Sequence, residues 1–443
     1  MYKNYRVFFI LILFIFLNAE ARSRNEVDIE YSIIDSLIYK EKNYDEALRL
    51  SKEFLTMQDV DRYYVYKAKN IINLIENYSD YDRKPLELFF KYRENYFKRL
   101  KCLGNSAELC KENGNIFREI LEKYPDCKLA GFVQYLLAIH YKSQINSTDR
   151  YLENGEVAAK KAIESYREVF RKYPTAEMPI HESGRRFKIG LKIAPLALLK
   201  MGDLYKPYYN TLPGVKDSAK AIEAYQAVID NYPEDVDHKD RKVVMNAYVS
   251  ILNMYIKNNI ILDTVKVKEI CNILINTFPN QGFEFGGGTF GETHPTAYLV
   301  LAYCETDKEK ALKIYEKIMN EYPNNWTGRS SSGAVVRYGV DALGSVKYLF
   351  EDPELTIDYY RKIVDSDLDI NIRGSAQYYI ASIYEEDIKD YNQALIEYQK
   401  VLENFADVNP GGEYYPLGQG AKESISGIQE KLNKKQKTDV KSP

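Results

Sequence analysis

Chemistry in this chain of 443 residues would have to come from four histidines, five cysteines, one glycine-rich run and a few loop aromatics. A protein metal site needs several nitrogen, sulfur or oxygen donors at ligand spacing. His140, His181, His238 and His294 are scattered, with no His-Glu-x-x-His turn, and no two cysteines have zinc-site spacing. His181-Glu182 and the group Asp235, Asp237 and His238 lie in loops beside prolines and form only fragments of a ligand set. The run Gly282 to Gly291 lacks the Gly-Lys-Ser/Thr ending of a phosphate-cradling loop and follows a helix ending at Phe278-Pro279 rather than a strand. Its Phe283, Phe285 and Phe290 suit packing on the scaffold or on a partner. Glu284 and Glu292 are the one carboxylate pair that a glycan-cleaving enzyme could use. Gly328 to Gly333 is not a Gly-x-Ser-x-Gly nucleophile elbow and has no strand before it. No catalytic residue, metal or cofactor is assigned, and the chain reads as a non-enzyme.

Binding is the remaining chemistry. Trp326 is the single tryptophan and sits in a loop beside Arg329, an aromatic-plus-arginine make-up common at interaction hot spots. Tyr414-Tyr415 in the last loop and Tyr208-Tyr209 in an insertion are candidates of the same kind. The alternative for each is an aromatic folded back over helix ends.

The elements that would position these residues emerge from a repeat. Tyr124-Pro125, Tyr173-Pro174, Tyr232-Pro233, Phe278-Pro279 and Tyr322-Pro323 recur along the chain. Twelve residues before the last four prolines stand Ala162, Ala221, Val267 and Ala311. Four residues after these come Tyr166, Tyr225, Cys271 and Tyr315, and seven after them Val169, Val228, Leu274 and Ile318. Offsets of four and seven share one helix face, and proline stops the helix. Ala394, Tyr398 and Val401 repeat the face near the C-terminus. A partner helix carries a small or apolar residue three before a tyrosine: Ala138/Tyr141, Gly202/Tyr205, Leu252/Tyr255, Ser345/Tyr348 and Ala381/Tyr384. The small residue admits the neighbouring backbone and the tyrosine covers the contact.

These residues resemble the tetratricopeptide-repeat (TPR) consensus, and the Tyr-Pro units with a preceding Ala-Ile-Glu-x-Tyr resemble those of bacterial envelope TPR proteins, of the outer-membrane-assembly lipoprotein and Tol–Pal-associated coordinator type. Successive aromatic-Pro sites lie 44 to 59 residues apart, against about 34 in the consensus, and the lipid-attachment cysteine is absent. The resemblance implies an all-α fold, a right-handed alpha-alpha superhelix (TPR-like solenoid) with extended inter-repeat loops. It also implies a scaffold for protein partners, such as an envelope assembly or motor complex. A peptidoglycan- or glycan-binding repeat protein is the alternative reading.

The ends and the composition bound the rest. Lys3 and Arg6 precede an apolar run from Val7 to Leu17 and then Ala19-Glu20-Ala21, the pattern of a signal peptide cut after Ala21; an uncleaved anchor is the alternative. A periplasmic or secreted location follows, with no transmembrane span in the mature chain. A formal net charge of -3 gives no electrostatic footprint for nucleic acid. Cys102, Cys110 and Cys127 lie close enough for one disulfide, although buried reduced thiols are the default, also for Cys271 and Cys304. The expected organisation is a signal peptide over 1–21, irregular helical hairpins over 28–142, TPR-like repeats with a terminal capping helix over 143–432, and a disordered polar tail over 433–443.

Overall fold

The computed structural model describes residues 31–57, 60–100, 106–145, 155–180, 188–206, 212, 214–237, 241–257, 260–285, 289–327, 336–411 and 416–439. Two compact units divide the chain, residues 1–247 and 248–443. No described helix is long and apolar enough to cross a membrane.

The first unit opens with helical residues 31–36 and a π-turn, Leu37–Glu41. There follow α1 (Tyr44–Phe54), α2 (Arg62–Asn77), α3 (Lys84–Leu100), α4 (Ser106–Lys123), α5 (Ala130–Gln144), α6 (Gly155–Lys172), α7 (Ala194–Tyr205) and α8 (Ser218–Asn231). Helix α9 (Val243–Tyr255) crosses the division. From α3 to α8 each helix packs on the next, and α1 packs on α2. Within the hairpins expected over 28–142, α2 packs chiefly on α1 and α3 on α4, because Tyr81, Asp82 and Arg83 take left-handed backbone conformations and redirect the chain between α2 and α3.

In the second unit a two-residue hairpin (β1, Ile256–Lys257; β2, Ile260–Ile261) leads into α10 (Thr264–Thr277). Then come β3 (Gly282–Phe285), β4 (Thr289–Glu292), α11 (Thr293–Cys304), α12 (Lys308–Glu321), β5 (Trp326–Thr327) and β6 (Val336–Arg337). Helices α13 (Tyr338–Val346), α14 (Pro353–Val364), α15 (Ile370–Ile383), α16 (Tyr391–Asn404) and α17 (Leu417–Asp439) complete it. Antiparallel helix pairs stacked in sequence order make the fold an all-helical repeat solenoid of TPR type. The capping helix α17 buries Ala421 and Ile428 and continues through residues 433–439, where the sequence suggested a tail; residues 440–443 lie outside the described set.

The repeat spacing translates directly into burial. Ala162, Tyr166 and Val169, then Ala221, Tyr225 and Val228, then Ala311, Tyr315 and Ile318, and finally Ala394, Tyr398 and Val401 are all buried. A large ring fits inside a thin two-helix layer because its hydroxyl can reach a polar group at the margin. Tyr225 donates to Asp203 Oδ1 at 3.0 Å, Tyr360 to the Leu343 carbonyl at 3.0 Å and Tyr398 to Glu385 Oε2 at 3.1 Å. The facing small residue is sterically required at Gly202, where a Cβ would stand 2.5 Å from the Tyr225 ring.

Five of the second helices also start by a fixed device. Asp217, Asp263, Asp307, Asp352 and Asp390 stand four residues before Ala221, Val267, Ala311, Thr356 and Ala394. Each caps its helix by accepting a backbone N–H two or three residues on. Such a cap satisfies one of the helix's orphan donors and contributes about 1 kcal/mol. Asn43 does the same for α1, again four before Ala47. The likeness goes further: the π-turns Leu37–Glu41 and Tyr384–Ile388 both end in a left-handed lysine, Lys42 and Lys389, placed immediately before the cap. The first helix pair is therefore built like the last, although its sequence looked irregular.

Candidate protein-interaction surface

The joints between helix pairs carry most of the residues singled out from sequence, and they share one base. Three residues past the proline stand Glu177, Val236, Gly282 and Trp326. Each pairs antiparallel with a residue one or two before the next first helix, namely Lys192, Lys242, Glu292 and Arg337. Each pairing closes the base of its joint as a ribbon. In the glycine-rich joint the ribbon is a four-rung hairpin, Gly282↔Glu292, Phe283↔Gly291, Glu284↔Phe290 and Phe285↔Thr289. The sequence had no strand pattern there, because these rungs are imposed by the closing of the joint and not by alternation of apolar residues.

Neighbouring joints are tied together within each unit. Tyr173 donates to the Pro125 carbonyl at 2.9 Å and Tyr232 to the Pro174 carbonyl at 3.4 Å, so the aromatic of one aromatic-Pro pair reaches back to the proline of the one before. Lys192 bridges to Asp235 at 3.1 Å. In the second unit β4 runs beside β5, and Glu292 accepts from Asn280 at 2.7 Å and from Asn325 at 2.6 Å. Asn324 then donates to Asp369 at 2.9 Å and accepts from Arg337. Adjacent joints thus emerge side by side, as expected of insertions at equivalent positions in a repeat array.

The candidate residues fall unevenly on this edge. Phe283, Phe285 and Phe290 lie on the β3–β4 hairpin and Trp326 on β5 opposite Arg337, all four described at the backbone alone. Arg329, Tyr414, Tyr415, Tyr208 and Tyr209 lie outside the described residues, as do Cys102, His181 and His238. Glu292 is held by two asparagines as a link between joints, and the Glu284 side chain lies outside the described residues. Asp237 is buried against Arg241, whose Nε and Nη2 donate to it at 3.0 and 2.7 Å, so it is neutralised from within the loop. His294 donates through Nε2 to the Phe278 carbonyl at 2.7 Å, and His140 lies 2.9 Å from Gln144 Nε2. Among the described residues no group of three potential metal ligands converges. Cys110, Cys127, Cys271 and Cys304 are free and buried. Burial pushes the Cys127 thiol up to about 11 and the Cys271 thiol up to about 12, which makes both poor nucleophiles.

One further surface was not visible in the sequence. Asp341, Ser345 and Tyr348 follow the i, i+4, i+7 spacing along α13 and the turn after it. Tyr348 is 80% exposed, although its spacing from Ser345 matches the buried Tyr141, Tyr205 and Tyr384 of other first helices, because α13 ends at Val346 and releases it. Tyr303 of α11 is 55% exposed, and its hydroxyl meets Ser345 Oγ at 3.0 Å. Tyr379 of α15 lies against the same face, where a Cβ on Gly344 would stand 3.2 Å from its hydroxyl. Burial, then the charge of Asp341, then Tyr348, push Tyr379 up to about 12.

Comparison with known proteins bears out the class. The family model described as Tetratricopeptide repeat matches residues 196–235, 298–325 and 375–407. These segments hold α7 with α8, α11 with α12 and α15 with α16, so the chain carries tetratricopeptide repeats at three of the pairs read from spacing. No curated protein matches the chain. Among solved structures it is similar to a tetratricopeptide repeat protein from Parabacteroides merdae, with 10% identity over 77% of this chain and 99% of that one and a TM-score of 0.34. It is also similar to the TPR domain of P58(IPK), with 12% identity over 93% of this chain and 99% of that one and a TM-score of 0.21. Repeats of this type are a scaffold for protein–protein interaction.

Proposed function

We propose that the chain is an exported, non-enzymatic scaffold of the bacterial envelope that holds a protein partner. The observation that carries this reading is the set of tetratricopeptide segments whose pairs spend their Ala, Tyr and Pro positions on stacking. That leaves the joints and the outer face of the first helices for contact. The envelope assignment rests on the Lys3/Arg6, apolar-run and Ala-x-Ala leader and on the resemblance of the Tyr-Pro units. Photo-cross-linkers placed at Thr327 and Tyr348 in cells are expected to capture a protein. Retention on peptidoglycan with no protein recovered sinks the scaffold reading and favours glycan binding. N-terminal sequencing of the mature chain is expected to begin at Arg22; a chain that keeps Met1 in the cell overturns the cleaved-leader assignment.

A further inference from the structure

Most charged side chains in the second unit are spoken for by an oppositely charged or hydrogen-bonding neighbour. Lys308 pairs with Glu351 at 2.9 Å, Lys431 with Glu385 at 2.9 Å and Lys400 with Glu397 at 2.9 Å. Asp341 departs from this pattern. Its carboxylate sits half-buried in the first turn of α13, burial alone raises its pKa, and no cation or hydrogen-bond donor among the described residues reaches it. Its backbone carbonyl accepts from Ser345 Oγ at 2.9 Å, which fixes the turn but leaves the carboxylate untouched. The neighbouring Lys347 is drawn elsewhere, 4.0 Å from Asp387 and 5.9 Å from the Tyr348 ring.

Tyrosines lie along its side of α13: the Tyr303 hydroxyl meets Ser345 Oγ, one turn on from Asp341, at 3.0 Å, the Tyr379 hydroxyl lies against Gly344, and Tyr315 and Tyr338 also feel the carboxylate's charge. Of these, Tyr315 and Tyr338 are buried in the core, while Tyr303 is 55% exposed, and Tyr348 stands exposed in the turn that follows α13. A half-buried anion beside tyrosines is costly to leave unpaired. It is also the chemistry that receives an organic cation, because the carboxylate supplies a charge-assisted hydrogen bond and the ring faces attract the same positive charge. A neutral sugar would forgo the carboxylate, and an acidic peptide would be repelled by it. A guanidinium fits best, since it can both bridge a carboxylate bidentately and stack on tyrosine.

Resting on the scaffold reading above, we infer that the face formed by α11, α13 and α15 recognises an arginine or lysine side chain of the partner protein, with Asp341 as the charge partner and Tyr303, Tyr348 and Tyr379 as the aromatic walls. The partner segment is accordingly basic at this point of contact.

The test uses the full mature chain and two blocked probe peptides, one alternating glycine with arginine and one alternating glycine with glutamate, followed by calorimetry at low salt. The arginine probe is expected to bind and the glutamate probe to bind far more weakly. Asp341→Asn, which keeps the side-chain shape, is expected to weaken the arginine probe about tenfold. Tyr348→Ala, at an exposed ring, is expected to weaken it several-fold. Glu309→Gln, on an exposed second-helix carboxylate of the same unit, is expected to leave it unchanged. Equal affinity in wild type and Asp341→Asn, or loss of the same size in Glu309→Gln, overturns the site. No response to the arginine probe while cross-linking still captures a protein also overturns it, with the scaffold standing. Capture of no protein removes the scaffold reading itself.

Discussion

Glu397 shows how a single residue sets the tolerance of a layer. It is buried on α16 and bound from three sides, by Gln377 Nε2 at 2.8 Å, Gln393 Nε2 at 2.9 Å and Lys400 Nζ at 2.9 Å. Burial alone would raise its pKa, but the Lys400, Gln377 and Gln393 hydrogen bonds outweigh it and hold the carboxyl below its ordinary value. The folded pKa is thus lower than the unfolded one. Its stabilising contribution is full above the unfolded pKa of about 4.3 and disappears as pH falls through the folded value. Hydrogen exchange of α16 amides is expected to show Glu397→Gln less protected than wild type at neutral pH. That gap should close on acidification, and a gap that widens instead contradicts this account. Glu397→Ala is expected to cost about 1–3 kcal/mol at neutral pH, because Gln377 loses the buried carboxylate acceptor and keeps only the residue-397 carbonyl at 3.3 Å.

At the scale of the element, the second helices from α8 onward that carry an aspartate cap hold their own start signal. Asp307 caps α12 by accepting from the backbone of Glu309 at 3.0 Å and Lys310 at 3.2 Å. Asp307→Ala is expected to cost about 1 kcal/mol, read as a lowered melting temperature. Lys389→Gly acts in the opposite direction, since lysine at φ 64 is strained and glycine is not. Stabilisation of up to about 1 kcal/mol is expected, and destabilisation there would show that the lysine side chain contributes more than its backbone costs. How much of this was legible differs by feature. The Ala, Tyr and Pro offsets led directly to helix faces, because burial in a two-helix layer depends on local spacing. The aspartate caps stood in the sequence at an equally regular offset from Ala221, Val267, Ala311, Thr356 and Ala394, a signal available beside the one used. The joint hairpins were not legible, since pairs such as Trp326↔Arg337 arise where two helix ends bring the chain together, not from strand propensity. The Asp341 face was hidden for a related reason. Tyr348 obeys the spacing of a buried tyrosine, and only the end of α13 at Val346 decides otherwise.

For the whole molecule, stability is a sum over neighbours, and the last neighbour matters most. Helix α17 covers α16, with Ala421 and Ile428 fully buried, and Leu417 and Phe405 packed where a Cβ on Gly374 would stand 2.9 and 3.2 Å from them. Lys431 reaches back to Glu385 at 2.9 Å. A chain truncated at residue 411 is expected to melt at lower temperature and to aggregate, because an uncapped repeat exposes a contiguous apolar face. Light scattering on the truncated and full chains measures this, and a monomeric truncation with unchanged melting would show that α17 is not the cap.

The closed joints carry an implication for how such a chain can change over generations. Because the ladder at Glu177↔Lys192 and the one at Val236↔Lys242 are fastened at the same place relative to the helices while enclosing segments of quite different length, residues can be inserted or deleted inside a joint without shifting the register of any helix. Lengthening a loop whose ends are already pinned adds little entropic cost. Selection can therefore rewrite the contact edge one joint at a time, giving kindred chains the same helical spine with unrelated partners.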